Sequence, residues 1–233
     1  MTGKLYLIPT GLGDNAPLEI LPISIKKIIE SIDVYIVENE KSARKFIKTV
    51  SSGKSQSSLT LFSLNKFTDP LEIPSFLEEC SEGNNIGLLS DAGCPGVADP
   101  GAEVVKIAHK KNIKVIPLVG PSSILLAMMS SGMNGQNFMF NGYLSIDKKE
   151  RKEQIKLLEK KSNSTTQIFM ETPYRNDNLI IDLISYLKPL TKLCIATDIT
   201  LENELIKTEL IRDWKKNKII YKKRPSIFLI QSD

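Results

Sequence analysis

Three turns rich in glycine and small polar residues follow short apolar runs, and they carry most of the chemistry this sequence offers. Gly11-Leu12-Gly13-Asp14-Asn15-Ala16 spells G-x-G-x-x-A, and Glu38 lies 22 residues beyond Ala16. That is the outline of a dinucleotide fingerprint, in which the glycines open a helix whose N-terminus holds a pyrophosphate. Here Pro17 and Pro22 follow instead. A proline inside the required helix removes a hydrogen bond and clashes with the preceding turn, so the dehydrogenase reading is set aside. The second turn, Ser90 to Gly101, is denser, with three glycines and two prolines between the apolar run Ile86 to Leu89 and a helical stretch from Ala102. A strand, a tight loop and a helix put that loop at the carboxyl edge of a sheet, where open α/β folds bind ligands. A purely structural connection needs only ~2–6 residues. The third turn, Val119-Gly120-Pro121-Ser122-Ser123, sets two hydroxyls at the start of the next helix, which they cap or turn toward a ligand.

The elements that must position these turns are legible from periodicity. Strand-like Lys4 to Ile8, Val34 to Val37, Ile86 to Leu89 and Ile113 to Leu118 alternate with helical stretches Ile23 to Ile32, Arg44 to Val50, Phe76 to Cys80 and Ala102 to Lys111. Ser51 to Ser58 reads as an exposed loop. Beyond Gly120-Pro121 come helix Ser122 to Ser130, strand Phe138 to Tyr143, charged helix Lys148 to Lys161, strand Thr166 to Met170, helix Asn178 to Leu187, and strands Lys192 to Thr197 and Ser226 to Gln231. The pattern predicts two α/β domains, 1–119 and 120–233. With 233 residues, 41% hydrophobic and 25% charged, the chain is an ordinary globular one, and its apolar runs fall short of the ~20 residues of a membrane span. No secretory leader precedes the first strand, so a cytoplasmic protein without membrane association is expected. Cys80, Cys94 and Cys194 show no metal-ligand or disulfide spacing, and no metal is expected. Residues 1–140 hold 13 Lys/Arg against 14 Asp/Glu, while 141–233 hold 18 against 13. Lys207, Arg212, Lys215, Lys216, Lys218, Lys222, Lys223 and Arg224 make Leu205 to Arg224 a patch that either meets phosphates or is solvated surface.

Taken in order, Leu5-Tyr6-Leu7-Ile8-Pro9-Thr10, Ser90-Asp91-Ala92-Gly93-Cys94-Pro95 with Asp99-Pro100-Gly101, Gly120-Pro121-Ser122-Ser123, and Glu171-Thr172-Pro173-Tyr174-Arg175 resemble the tetrapyrrole methylase superfamily. Within it, the chain is most similar to the ribosomal RNA small-subunit methyltransferase I group. The resemblance spans nearly the whole chain and implies two α/β domains with a cofactor cleft between them, S-adenosylmethionine as cofactor, a homodimer, and methylation of a ribose 2′-hydroxyl in small-subunit RNA. Thr10, Ser90, Asp91, Ala92, Gly93, Pro121, Ser122 and Ser123 are expected at the cofactor, with Met170 and Ala196 either flanking the adenine or serving as plain core residues. Arg151 and Arg175 match basic positions of the RNA-directed group and, with Arg44, are offered to RNA, while Arg151 and Arg175 read equally as exposed helix charges. A ribose hydroxyl is a weak acid that a carboxylate base would help, and among Asp91, Asp99, Glu38 and Glu171 the first choice is Glu38. Its alternative is an ion pair with Lys41 or Lys45, while Asp91 and Asp99 suit loop stabilisation equally well. His109, late in a helix, complements that helix's dipole.

The sequence also departs from the group. Asn39 stands where the group has a carboxylate, Thr197 where it has an arginine, and Leu64-Asn65-Lys66-Phe67 where it has His-Glu-His-Asn. These changes predict a poor substitute for the group's usual enzyme. They keep two alternatives open, a tetrapyrrole methyltransferase and a catalytically silent RNA-binding protein.

Overall fold

The computed structural model describes residues 2–216, 221 and 223–232, so Lys218 and Lys222 of the basic patch lie outside the described residues. The chain divides into two units, Met1–Ser122 and Ser123–Asp233. The first runs through β1 (Lys4–Ile8), α1 (Pro17–Ile20), α2 (Ser24–Ser31), β2 (Val34–Val37), α3 (Glu40–Val50), β3 (Thr60–Ser63), a 3₁₀ turn at Ile73–Leu77, α4 (Glu78–Ser81), β4 (Ile86–Leu89), α5 (Gly101–Lys110) and β5 (Lys114–Pro117). Its strands lie in the order β3-β2-β4-β1-β5, all parallel. A parallel sheet is covered on both faces. Along β1, Leu5 and Leu7 face a cluster with Phe76, Cys80 and Val104, while Tyr6 and Ile8 face one with Ile25, Ile29 and Ile47.

Pro22 acts as its sequence position predicts. The helix after Gly11–Ala16 stops at Ile20 and a new one begins at Ser24, whereas Pro17 takes a first-turn position where a missing N–H is harmless. The continuous helix of a dinucleotide fingerprint is therefore not there. α3 begins at Asn39, whose Oδ1 accepts the N–H groups of Lys41 and Ser42 at 2.9 and 3.1 Å. Ala43, Ile47 and Val50 form its buried stripe. Because every strand is parallel, the carboxyl ends of β1, β2 and β4 share one edge. From β2 the chain moves outward to β3, and from β4 to β5 on the opposite side. Such a divergence is where open α/β sheets bind ligands.

The second unit comprises α6 (Ser123–Ser131), β6 (Phe138–Tyr143), α7 (Lys148–Lys161), β7 (Thr166–Glu171), α8 (Asn176–Tyr186), β8 (Lys192–Thr197), β9 (Leu205–Leu210), α9 (Ile211–Trp214) and β10 (Ser226–Gln231). Its sheet has the order β6-β7-β10-β8-β9, with β6 parallel to β7 and the remaining pairs antiparallel. Phe169, Phe228 and Ile195 pair side by side and enter the core with Leu179, Leu183 and Trp214, whose indole N–H donates to Leu193 O at 2.8 Å. The next row, Met170, Ile227 and Ala196, faces the other way. Thr208 lies on that second face and donates to Ser131 O at 2.8 Å, tying α6 to it. Among the described residues no helix is long and apolar enough to cross a membrane.

Candidate active site

At the carboxyl edge of the first unit's sheet, the loops after β1, β4 and β5 lie close against one another. Buried Thr10 donates its N–H to Gly93 O at 3.0 Å and its hydroxyl to Ser90 O at 3.2 Å. The Ser90 hydroxyl donates to the same Gly93 oxygen at 2.8 Å. Gly93 has φ +75°, and a Cβ on it would stand 3.3 Å from Leu12 Cδ2 and 3.4 Å from Pro121 O. Only glycine accepts that conformation without strain while the three loops stay this close. Asp99 orders the rest of the β4–α5 loop, its Oδ1 accepting from the N–H groups of Gly96 and Gly101 at 2.6 and 2.8 Å. Burial lifts its carboxyl above the usual range and these two N–H groups pull it back. Its place in this site is loop stabilisation.

Glu38 follows β2, and its Oε1 accepts the N–H of Asp91 at 3.1 Å, so the ends of β2 and β4 meet through a carboxylate. Asp91 Oδ1 in turn accepts the Ser42 hydroxyl at 2.6 Å. Burial raises the Glu38 carboxyl above the usual carboxylate range. The Asp91 N–H opposes this, and the charges of Asp99 and Asp91 add to it. Lys45, one partner the sequence offered to Glu38, lies instead 2.9 Å from Asp14. Ala92, exposed like Asp91, bridges it to buried Gly93.

The three arginines offered for RNA are engaged within the fold. Arg44, half-buried, donates through Nη1 to Gln56 O at 2.7 Å. Arg151 donates through Nε and Nη2 to Asp182 Oδ2 at 2.8 and 2.6 Å, with the two side chains 12% and 7% exposed, and so ties α7 to α8. Arg175 donates through Nε to Glu171 Oε1 at 2.9 Å, and Glu171 also accepts the Thr172 N–H. Met170 and Ala196 share a face with Ile227 between them, Met170 half-buried and Ala196 fully buried. Ser122 precedes α6 and Ser123 opens it. Two departures have structural tasks: Asn39 caps α3, and buried Thr197 pairs with the Ser226 hydroxyl at 3.0 Å. Ser42, Lys45 and Phe46, which the sequence did not single out for a ligand, line one cavity beside Asp91. Their common face appears only once Asn39 fixes where α3 begins.

A parallel α/β unit with glycine-rich loops at its carboxyl edge, followed by a mixed α/β unit, is an architecture that known methyltransferases share. The crystal structure of the methyltransferase CobJ has the same fold, with a TM-score of 0.65 at 14% identity over 99% of this chain and 95% of that one. The family model for Tetrapyrrole (Corrin/Porphyrin) Methylases matches residues 4–214. The chain belongs to this family and is a methyltransferase; enzymes of this type use S-adenosylmethionine. It is similar to the ribosomal RNA small subunit methyltransferase I of Buchnera aphidicola subsp. Schizaphis graminum (strain Sg), at 30% identity over 98% of this chain and 78% of that protein. The protein of the same name from Bacillus subtilis (strain 168) is 33% identical over 74% of this chain and 56% of its own length.

Proposed function

We propose that this chain methylates a ribose 2′-hydroxyl of small-subunit ribosomal RNA, using S-adenosylmethionine. The observation that carries the reading is Glu38, a carboxylate of raised pKa held against Asp91 N–H where β2 and β4 diverge. When bound, the cofactor supplies an electrophilic methyl carbon on a positively charged sulfur. What the chain must add is alignment of the acceptor oxygen and removal of its proton. Glu38 takes that proton at its second oxygen, while Asp91 N–H fixes the first. Thr10, Ser90, Asp91, Ala92, Gly93, Pro121 and Ser122 hold the cofactor, and Gly93 fits this role because a side chain there would crowd Leu12 and Pro121. RNA is favoured over a macrocycle by relatives named for ribosomal RNA and by charge. No charged residue lies between Lys114 and Asp147, so the first unit is net −1 and the second net +5. The reading includes a cytoplasmic homodimer, and exposed Leu125, Met129, Met139 and Tyr143 support self-association.

The test is incubation with methyl-labelled cofactor and, separately, small ribosomal subunits, naked small-subunit RNA and tetrapyrrole precursors. Label should enter an RNA ribose; label in a tetrapyrrole, or in nothing, overturns the reading. Cofactor at ~100 times its Kd should also stabilise the fold by about 2.7 kcal/mol, and NAD should not.

A further inference from the structure

On the α3 side of Asp91 the first unit holds a cavity of about 440 Å³. Its base is apolar, closed by Leu89 and Ala43. Phe46 lines it while packing against the core around Ile25 and Ile47. Its rim is polar and charged, with Ser42 and Lys45 on α3 and Asp14 on the turn after β1. Lys45 and Asp14 are paired at 2.9 Å, but their side chains are 75% and 94% exposed. So exposed a pair contributes little and opens readily to a stronger anion.

Three lining residues, Thr10, Ser90 and Asp91, are also among those proposed to hold the cofactor. In-line transfer requires the acceptor beside the donor, and a shared wall provides that neighbourhood. An aromatic ring next in sequence to a cation, above an apolar base, is the chemistry by which proteins take an unstacked base and its phosphate out of single-stranded RNA. The volume falls in the ~300–1,000 Å³ range of small-ligand sites.

Resting on the methyltransferase reading above, we propose that this cavity receives the acceptor nucleotide, its base against Phe46 and its phosphate at Lys45. Binding exchanges the Asp14 partner of Lys45 for the phosphate and leaves the ribose toward Asp91 and Glu38. Neither Lys45 nor Phe46 is a catalytic residue in this arrangement; they select and seat the nucleotide.

The test titrates isotope-labelled protein with each of the four ribonucleoside 5′-monophosphates. At least one should shift the backbone resonances of Gly11, Asp14, Lys45 and Phe46, and Lys45→Ala should weaken that binding about tenfold, the effect of removing one charge-assisted hydrogen bond. With RNA as substrate, Lys45→Ala and Phe46→Leu should raise KM while cofactor affinity holds, and Lys45→Ala, at an exposed side chain, should also keep Tm. The proposal is overturned if no nucleotide moves those resonances, or if both variants leave KM unchanged. It is equally overturned if the variants weaken cofactor binding, because the cavity would then belong to the cofactor. Nucleotide binding here in a protein that labels no RNA would uphold the site and reject the methyl-transfer reading.

Discussion

Glu38 is held in a form that suits a proton acceptor and costs the fold stability. Burial and the charges of Asp99 and Asp91 raise its pKa, opposed by the Asp91 N–H. Between the ordinary carboxylate value and the raised one, the folded protein keeps a proton that the unfolded chain has released. Stability therefore falls as pH rises through that window. Glu38→Gln removes the charge and keeps an oxygen for the Asp91 N–H. At neutral pH the variant should melt at or above the wild-type temperature, and the difference should vanish below the unfolded carboxylate value. Methyl transfer should drop by ~10²–10⁴-fold, the usual range for losing a general base. A wild-type rate profile should lose its acid limb in the variant. If the variant melted lower at every pH and kept its rate, Glu38 would be only a strut between β2 and β4.

At the scale of an element, α3 decides how the site is built. Asn39 starts it, Ser42 in its first turn reaches Asp91, and Lys45 and Phe46 one turn later line the cavity. An aspartate caps a helix as well as an asparagine does, so the amide that departs from the family pattern is neutral for this task. Asn39→Asp should leave the urea midpoint and the methylation rate near wild type, whereas Asn39→Ala should cost about 1 kcal/mol. A large gain in rate for Asn39→Asp would show that the amide has a substrate role and not merely a capping one. The helices and strands with a clear apolar period were legible in the sequence: β1, β6, α7, β8 and β10 fall where periodicity puts them. β3 and β9 were not. Thr60–Ser63 has only Leu61 and Phe62 to show, and it is an edge strand against β2. In Leu205–Leu210, Lys207 and Glu209 alternate as paired charges on an edge strand, which on sequence alone reads as part of a basic run. Phe76–Cys80 spans a 3₁₀ turn and a four-residue helix, a junction no period marks. The glycine-rich loops were visible because composition alone forbids regular structure there. The Asp182 and Gln56 partners of the arginines were not, because those bonds depend on how α7 meets α8 and how α3 meets the following loop.

For the molecule as a whole, the question is where its excess positive charge is free to act. The run from Leu205 to Arg224 looks basic in sequence, yet much of it is spent internally. Lys207 pairs with Glu209, and Arg224 with Asp198 at 2.6 Å, all four side chains a third exposed or less. α7 is different. It carries seven Lys/Arg against three Glu, net +4, and Arg151 is the cation it commits to a buried partner. Lys149, Lys152, Lys156 and Lys160 recur at three- and four-residue intervals along one face, with Lys152 over the Tyr186 ring at 5.4 Å and Lys156 in an exposed pair with Glu153. Flexible ammonium groups in such a row suit a phosphate backbone, whose neutralisation releases counterions and makes affinity salt-dependent. Replacing Lys149, Lys156 and Lys160 together by alanine, a strong helix former, should leave α7 folded. It should lower the slope of log affinity against log salt by about 2, at roughly 0.7 for each single-strand phosphate no longer neutralised. Lys215→Ala with Lys216→Ala should change the slope by less, since two charges are removed there against three on α7. A filter-binding titration in which the second pair of changes dominates would return the RNA surface to the β9–α9 segment and leave the lysines of α7 as solvated charge.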